Sequence, residues 1–297
     1  MILNLNCYIL STLYLYSLFK KYWHNDENHE IVHVVGKEIT RFHCIYWPIM
    51  LQSLGLDLPT KIIGHGWVLM KGGKMSKSKG NVVYPEPLIE RYGLDCLRFF
   101  SSFCVPFGQD GSFTPELFID SINVNLVNNY GNLVSRTISM VDKYFGGIIP
   151  TKESDYNDFD KNLVKEIFET KNKYEELFDE YNVSEAFKAV FELLNAGNKY
   201  IDDSKPWELA KDPNSINQLK TVMSNLCCLI KTATIMLQPM LVESSPKVFE
   251  ALSIDDSNYD NMLDFNSVYG RKVTKIAPLF PRLDTEKEYQ YIEDLMK

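Results

Sequence analysis

Four lysines lie within eleven residues of one stretch of the chain, at Lys71, Lys74, Lys77 and Lys79, with three glycines and two serines in the same stretch. The whole chain carries a formal net charge of -8, so this stretch is a local cationic exception. A lysine ammonium is a point charge on a flexible arm, and it can follow a phosphate that changes position and charge during a reaction. Glycines let the backbone open and close. The spacing therefore predicts a mobile loop that binds a polyanion.

A plainer interpretation of the same stretch is a solvated hairpin turn around Gly72 and Gly73. In that case the lysines only keep the edge of a sheet soluble. Composition alone favours this second interpretation, because charged residues are a common feature of turns and edges. The order of the residues favours the first.

The segment from Lys74 to Ser78 reads Lys-Met-Ser-Lys-Ser. Further blocks around it read Gly36-Lys37-Glu38-Ile39, Arg41-Phe42-His43, Tyr46-Trp47-Pro48, Gly64-His65-Gly66-Trp67 and Val105-Pro106-Phe107-Gly108-Gln109-Asp110-Gly111. The first segment resembles the KMSKS signature of class I aminoacyl-tRNA synthetases, and all the blocks, in this order, resemble the methionyl-tRNA synthetase family, in particular the bacterial kind. The resemblance runs from about Tyr8 to the neighbourhood of Arg282.

The resemblance implies methionine-tRNA ligase activity, in which methionine's carboxylate attacks the α-phosphate of ATP and the methionyl group then passes to methionine tRNA. It implies that Lys74 and Lys77 are catalytic and hold the departing pyrophosphate, with Mg²⁺ accompanying ATP. Gly36 and Glu38 would face the ATP ribose, since a carboxylate can accept both ribose hydroxyl hydrogens. Taken alone, Glu38 is equally well interpreted as an acid at a helix N-terminus that complements the helix dipole, and the two roles are compatible. The backbone near Val68 would meet the adenine.

Three residues of a predicted helix, Ile39, His43 and Trp47, are spaced by four and so share one face. Taken alone, this is an apolar packing face with one satisfied histidine. The resemblance implies instead that these residues, with Tyr8, line the methionine pocket. An apolar, aromatic cleft suits a thioether.

One part of the family pattern is missing from the sequence. The five histidines include no His-x-Gly-His pair, the signature that grips ATP in this family, and near the start only Tyr8 agrees with the expected pocket motif. The chain is therefore interpreted as the C-terminal portion of a synthetase, which a complementary N-terminal half would complete. The alternatives are a non-catalytic tRNA-binding module and an inactive truncated product.

Three residues in the second half of the chain, Asn132, Arg136 and Trp207, are the positions that read the CAU anticodon by resemblance. Asn132 and Arg136 are four apart and share a helix face, and Trp207 follows Lys205-Pro206. Aromatic stacking and side-chain hydrogen bonds are the means by which single-stranded bases are read. Each residue also has a plain interpretation: Trp207 as core, Arg136 paired with an acid such as Asp120, and Asn132 simply exposed.

The elements that must position these residues divide into two kinds. Short apolar runs at Ile31 to Val35 and Lys61 to His65 predict parallel strands, the first of them buried, with a helix over Ile39 to Leu54 after the first run. Amphipathic repeats predict an antiparallel bundle later in the chain. The predicted fold is a partial α/β nucleotide-binding, Rossmann-like domain over residues 1–112, followed by an all-α anticodon-binding bundle and tail over 113–297.

Composition sets the remaining limits. The six cysteines show no C-x-x-C spacing, which predicts reduced thiols, neither a disulfide framework nor protein-bound zinc, and no metal site. The apolar run from Cys7 to Phe19 is too short to span a membrane and lacks a preceding positive charge, so it is predicted to be a buried helix. The expected location is the cytoplasm, without a membrane partner.

Overall fold

The computed structural model describes residues 17–70, 73–75, 82–106 and 108–296. These residues form two compact units. The sheet unit contains the described residues up to Trp67 together with Gly108–Asp110, and the helical unit contains those from Val68 onward except Gly108–Asp110. The domain boundary at residue 112 remains a prediction. The two compact units divide at a different place, since the residues from Val68 onward, apart from Gly108–Asp110, belong to the helical unit.

The sheet unit is built on two parallel strands, β1 (Val32–Gly36) and β2 (Lys61–His65). Their register pairs Val32 with Lys61 at one end and Gly36 with His65 at the other. A short helix, α1, occupies residues 17–22. The parallel pairing confirms the predicted strand type, but complete burial was wrong: Val35 is 8% exposed and Val34 57%, so one face of β1 is open.

The connection from β1 to β2 is helical over most of its length. A 3₁₀ turn (Lys37–Ile39) leads to a π-helical turn (Phe42–Tyr46) and then to α2 (Trp47–Ser53). The predicted helix over Ile39 to Leu54 is therefore present, although its hydrogen-bonding pattern changes along its length. Across these elements Leu51 is the buried residue. Large apolar side chains remain 48–58% exposed on the other side, and we call them the exposed apolar face: Phe42, Ile45, Ile49 and Met50.

The helical unit begins with a small three-stranded sheet. Its strands are β3 (Val68–Met70), β4 (Gly73–Lys74) and β5 (Gly111–Phe113), with β3 in the centre. β4 pairs antiparallel and β5 parallel to β3. Two helices, α3 (Pro85–Tyr92) and α4 (Leu94–Phe99), and a π-helical turn at 100–104 lie between β4 and β5.

The rest of the helical unit is a bundle with a returning tail. Its helices are α5 (Pro115–Ser121), α6 (Asn132–Phe145), α7 (Asp158–Asp179), α8 (Val183–Ser204), α9 (Pro206–Leu209), α10 (Ile216–Leu237), α11 (Ser244–Ala251) and α12 (Thr285–Leu295). A ten-residue π-helical segment (Ile122–Gly131) joins α5 to α6. Thr114 caps the start of α5, since its Oγ1 accepts a hydrogen bond from the Leu117 amide at 3.1 Å.

The centre of the bundle is α10, in which every residue from Thr221 to Leu237 is buried. One of these buried residues is Lys231, whose side chain is fully enclosed. Its ammonium donates to the carbonyls of Asn261 and Asp264 at 2.8 and 2.9 Å and to Ser267 Oγ at 2.7 Å. Three donors meet three acceptors, so the buried charge is fully hydrogen-bonded.

The tail is fixed to the start of the helical unit by a buried carboxylate. Glu288 on α12 accepts hydrogen bonds from Arg91 Nε and Nη2 at 2.5 and 2.9 Å, and from the Tyr92 hydroxyl at 2.7 Å. These bonds hold the pKa of Glu288 below its ordinary value, with the Arg91 bond as the main cause. The last helix is thereby joined to α3.

None of the helices among the described residues combines the length and apolar content needed to cross a membrane. Most of the apolar run from Cys7 to Phe19 lies outside the described residues. Its described end is helical, as predicted, but Phe19 is 38% exposed rather than buried.

Candidate functional site

The carboxyl end of β1 carries an acid folded back onto a glycine. A Cβ atom at Gly36 would lie 2.6 Å from Glu38 Oε2, closer than side chains allow. Glycine at this position therefore lets the carboxylate rest against the strand end. Trp67 Nε1 donates to the same oxygen, Glu38 Oε2, at 2.9 Å. Ligands of parallel sheets bind at this edge.

A second acid joins the same edge of the sheet unit. Asp110 accepts from Lys37 Nζ at 2.5 and 2.6 Å and from the Trp67 amide at 2.9 Å. The Lys37 hydrogen bond is the main reason that the pKa of Asp110 is lowered. The Lys37 ammonium also lies 4.2 Å from the centre of the Trp67 ring. These contacts connect the segments after β1 and β2 to Asp110.

The approach of the Asp110 segment depends on Gly66. A Cβ atom there would lie 1.9 Å from the Gln109 carbonyl oxygen, so only glycine fits. None of the three side chains, Lys37, Trp67 and Asp110, was predicted as a site residue, although all three lie in blocks that resemble the family. Membership of those blocks was the available signal.

Aromatic rings cluster beside β1, around two of the predicted methionine-pocket residues. His33 lies 5.8 Å from His43 and 6.5 Å from Trp47, measured between ring centres. Trp23, which the sequence analysis did not select, lies 5.9 Å from His33 and 6.0 Å from Trp47. We call these four residues the aromatic cluster. Ile39 is 39% exposed, and Tyr8 lies outside the described residues.

The polar atoms of the aromatic cluster are unevenly satisfied. His43 Nδ1 donates to the Ile39 carbonyl at 3.0 Å. Burial, followed by the nearby His43, lowers the pKa of His33, so this ring is neutral at pH 7. Among the described residues, His33 Nδ1 and Trp47 Nε1 are buried without a hydrogen-bond partner. Buried polar atoms normally have a hydrogen-bond partner, so these two nitrogens are suited to bind a polar group of a ligand.

The stretch that contains the four lysines, residues 71–81, is called here the lysine loop, and the structure describes the chain at its two ends. The backbone of Lys74 belongs to β4 and pairs with Leu69, whereas the side chain of Lys74 and all of Lys77 lie outside the described part. Met75 and Val83, at the ends of the loop, line an apolar cavity of about 160 Å³ together with Val68. Val68 is 37% exposed at the start of β3. The loop is thus anchored by apolar packing at both ends.

The two α6 residues predicted to read the anticodon both contact α8. Asn132 Nδ2 donates to Asn198 Oδ1 at 3.2 Å, and Arg136 Nη2 donates to Asp202 Oδ1 at 3.0 Å. Asp120, suggested as a partner of Arg136, instead accepts from the Tyr289 hydroxyl at 2.6 Å. The Arg136–Asp202 pair is open to solvent, with Asp202 65% exposed. Exposed ion pairs contribute little stability and exchange readily.

Trp207 lies on α9, which begins two residues after the end of α8. Its ring is 39% exposed, so the core interpretation does not hold. Lys205, between the two helices, has a left-handed backbone with φ 47°. This conformation is unusual for a residue with a side chain and is found where surrounding structure enforces it. It fixes the direction in which α9, and with it Trp207, leaves α8.

Comparison with known families gives two adjoining matches. Residues 6–138 match the model of class I tRNA synthetases of the methionine type. Residues 149–294 match the anticodon-binding domain of methionyl-tRNA ligase. The first match contains the lysine loop and the edge of the sheet unit, and the second contains most of the bundle.

Curated relatives include the methionine–tRNA ligases of Halalkalibacterium halodurans and Bacillus subtilis, with 48% identity over 281 residues and 47% over 283. Both alignments cover 94% of this chain and 42% of the relative, so the chain spans less than half the length of these relatives. A crystal structure of Mycobacterium tuberculosis methionyl-tRNA synthetase bound by methionyl-adenylate aligns with a TM-score of 0.79 and 34% identity, covering 89% of this chain and 51% of that one.

Proposed function

Because the chain belongs to the methionyl-tRNA synthetase family, we propose that it supplies the KMSKS portion of the catalytic domain and the anticodon-binding bundle of a methionine–tRNA ligase. The reaction is ATP-dependent activation of methionine to methionyl-adenylate, followed by transfer to methionine tRNA. The observation that carries the proposal is the edge of the sheet unit, where the Glu38 carboxylate rests on Gly36.

The proposed ATP contacts follow from the chemistry at each position. The Glu38 carboxylate accepts hydrogens from the ribose hydroxyls at the end of β1, where the lack of a side chain at Gly36 lets this carboxylate rest. The Val68 backbone meets the adenine. Lys74 and Lys77 stabilise negative charge as pyrophosphate departs, so their effect is larger in the transition state than in the bound ATP complex. Mg²⁺ enters with ATP as its counterion.

The methionine pocket is proposed at the aromatic cluster. His43, Trp47 and Ile39 form one side of it, with Tyr8 as a further wall. Aromatic edges make favourable contacts with a thioether sulfur. The buried Trp47 N–H and the neutral His33 ring supply polar atoms that a bound amino acid can satisfy.

We propose that Asn132, Arg136 and Trp207 read the anticodon of methionine tRNA. Trp207 offers an exposed ring for stacking. Arg136 can exchange its solvent-exposed partner Asp202 for a base or phosphate at small cost. Asn132 and Arg136 lie one turn apart, which suits contacts to neighbouring bases.

Catalysis also requires the N-terminal half of the domain, carried on the same polypeptide or on a second one. The support is the exposed apolar face: Phe42, Ile45, Ile49 and Met50 are each about half exposed and lie on one helical segment. A contiguous apolar surface of this kind marks a contact site. The N-terminal portion present in the relatives is the proposed occupant. The proposed location is the cytoplasm, where tRNA and ATP are available and thiols stay reduced.

Methionine-dependent exchange between ATP and pyrophosphate tests the proposal. We expect the 297-residue chain to show no exchange, and we expect exchange to appear when the N-terminal part of a relative is added as a separate chain. Orientation accounts for about 7 to 11 kcal/mol of a barrier, so a half-site should not suffice. Lys77→Ala should then reduce turnover more than ATP affinity, whereas Lys79→Ala, in the same loop but outside the motif, serves as the matched control.

Two outcomes would contradict parts of this proposal. Robust exchange by the chain alone would show that the N-terminal half is not required. Specific binding of methionine tRNA without exchange in the completed mixture would favour a non-catalytic tRNA-binding module.

A further inference from the structure

The loop before β1 brings together three side chains that the proposed synthetase reaction does not use: His24, Asp26 and His29. His24 Nε2 lies 3.0 Å from Asp26 Oδ2, and His29 Nδ1 lies 2.8 Å from Asp26 Oδ1. The centres of the two imidazole rings are 4.9 Å apart. One possible ligand atom from each of the three side chains lies within 4.8 Å of the other two. We call these residues the His–Asp–His cluster.

The loop that carries the cluster is held in place by its own hydrogen bonds. The backbone N–H of Asn25 donates to Asp57 Oδ2 at 3.0 Å, and its side-chain Nδ2 donates to the Leu58 carbonyl at 2.6 Å. Asn25 Oδ1 accepts from the Ile31 amide at 2.9 Å, and the Asp26 amide donates to the His29 carbonyl at 3.1 Å. The cluster is thus presented by an ordered turn, which lowers the entropy cost of gathering its side chains around a ligand.

We propose that the His–Asp–His cluster is a binding site for a divalent transition metal, with Zn²⁺ as the ion it suits best. Two imidazole nitrogens and one carboxylate are ligands that zinc accepts, and Mg²⁺ and Ca²⁺ prefer oxygen alone. Ligands about 2.0 to 2.1 Å from a tetrahedral Zn²⁺ lie roughly 3.3 Å apart. The two imidazole–carboxylate spacings of 3.0 and 2.8 Å would open by a few tenths of an ångström. The remaining pair of ligand atoms, within 4.8 Å of each other, would adjust to the same value, with water completing the coordination.

The Asp26 carboxylate is held in place by hydrogen bonds. Its Oδ1 accepts from the Asn28 amide at 2.7 Å and from His29 Nδ1 at 2.8 Å. In this structure His24 Nε2 and His29 Nδ1 each contact the Asp26 carboxylate. A bound metal would contact these two nitrogens in place of the carboxylate hydrogen bonds. On His24, metal coordination at Nε2 places the proton on Nδ1, which is buried without a partner among the described residues. A buried unpaired donor is costly, so the affinity should be lower than that of a structural zinc site.

The sequence prediction of no metal rested on cysteine spacing alone. The relevant signal was His-x-Asp-x-x-His over residues 24 to 29, which cysteine counting does not detect. Binding would fix the segment that leads into β1, and this inference does not depend on the proposed reaction. Its failure would leave the synthetase proposal unaffected.

Calorimetric titration of the metal-free full chain with Zn²⁺ tests the site. Cys7 and Cys44 should be replaced by serine in every sample, so that neither thiol competes. We expect one Zn²⁺ per chain, with affinity lowered more than about tenfold by Asp26→Asn or His29→Gln, because even indirect disturbance of a metal site costs about 10- to 100-fold. Glu27→Gln and His65→Gln make the same chemical changes outside the cluster and should bind as the parent chain does.

Absence of Zn²⁺ binding, or binding that Asp26→Asn and His29→Gln leave unchanged, would overturn the proposal. A second measurement locates the ion without any change to the cluster. In nuclear magnetic resonance spectra, Zn²⁺ should shift the ring signals of His24 and His29. Shifts confined to His33 and His43 would place the ion at the aromatic cluster and would also overturn the proposal.

Discussion

Two helical segments of similar make-up have opposite surroundings in this chain. In the helical unit, α10 buries every residue from Thr221 to Leu237, and even Lys231 finds three partners inside. In the sheet unit, the segment from Lys37 to Ser53 buries Leu51 and leaves the exposed apolar face about half open. Other elements cover α10 over this stretch, whereas the described residues of the sheet unit leave the exposed apolar face uncovered. Stability is therefore concentrated in the part that recognises tRNA in our proposal.

The strongest test of this contrast is one substitution made in both regions. Phe118→Ala removes a fully buried ring that packs against Tyr92, Phe100 and Phe113 at 5.4 to 5.6 Å between ring centres. We expect it to lower the free energy of unfolding by about 3 to 5 kcal/mol. Phe42→Ala, at a ring that is 58% exposed, should change it by less than about 0.5 kcal/mol. Urea titration followed by circular dichroism measures both, and equal losses would remove the contrast.

A smaller effect is expected where the tail joins the helical unit. Glu288→Gln removes the charge that accepts from Arg91 and Tyr92 and should cost about 2 to 3 kcal/mol of unfolding free energy at pH 7. Because the pKa of Glu288 is lowered in the folded chain, this stability is fully present above its ordinary value of 4.5. It is lost as the pH falls through the folded pKa. Unfolding curves of parent and variant should therefore converge in acid, and a constant difference down to pH 3 would rule out the charge as its source.

In the bundle, one substitution should weaken tRNA binding while leaving the unfolding free energy nearly unchanged. Trp207→Ala should weaken binding of tRNA with a CAU anticodon by about 1 to 3 kcal/mol, since stacking on one base contributes that much. The unfolding free energy should stay nearly unchanged, because the ring is 39% exposed. Filter binding and thermal melting measure the two quantities. Unchanged affinity, or a collapsed bundle, would refute the stacking role.

The smallest effect on stability is expected on the exposed apolar face. Ile49→Ser should change the unfolding free energy of the chain by less than about 0.5 kcal/mol, because the side chain is 57% exposed. It should nevertheless weaken restoration of exchange activity by the added N-terminal part. Restoration at the parent level, over a titration of the added part, would show that this face is not the contact.

The sequence predicted those elements that local signals specify. The helix from Ile216 to Leu237 belongs to the predicted bundle, and the helix from Pro85 to Tyr92 begins at a proline and ends before Gly93. Apolar periodicity, an N-terminal proline and a terminating glycine are all read within a few residues. The strands near residues 32 and 61 and their parallel pairing follow from similar runs.

Features that depend on distant partners could not be read in this way. Lys37 and Asp110 are far apart in the chain, and their contact depends on the close approach that Gly66 permits. Trp23 and His33 join the aromatic cluster only after β1 and the following helix are placed. The exposure of Val34 likewise reflects what covers the strand, not the strand itself. The resemblance named candidate site residues, but it did not provide these contacts.

The parallel pairing of β3 with β5 has a consequence for the order in which the chain folds. It joins residue 68 to residue 111, so the lysine motif lies in the sequence between these two paired strands. Closing the intervening segment into a loop costs entropy before any contact repays it, and non-local parallel pairing is slow for that reason. During synthesis the motif therefore leaves the ribosome well before this loop can close. The pairing of β3 with β5 can form only after the chain as far as Phe113 has emerged.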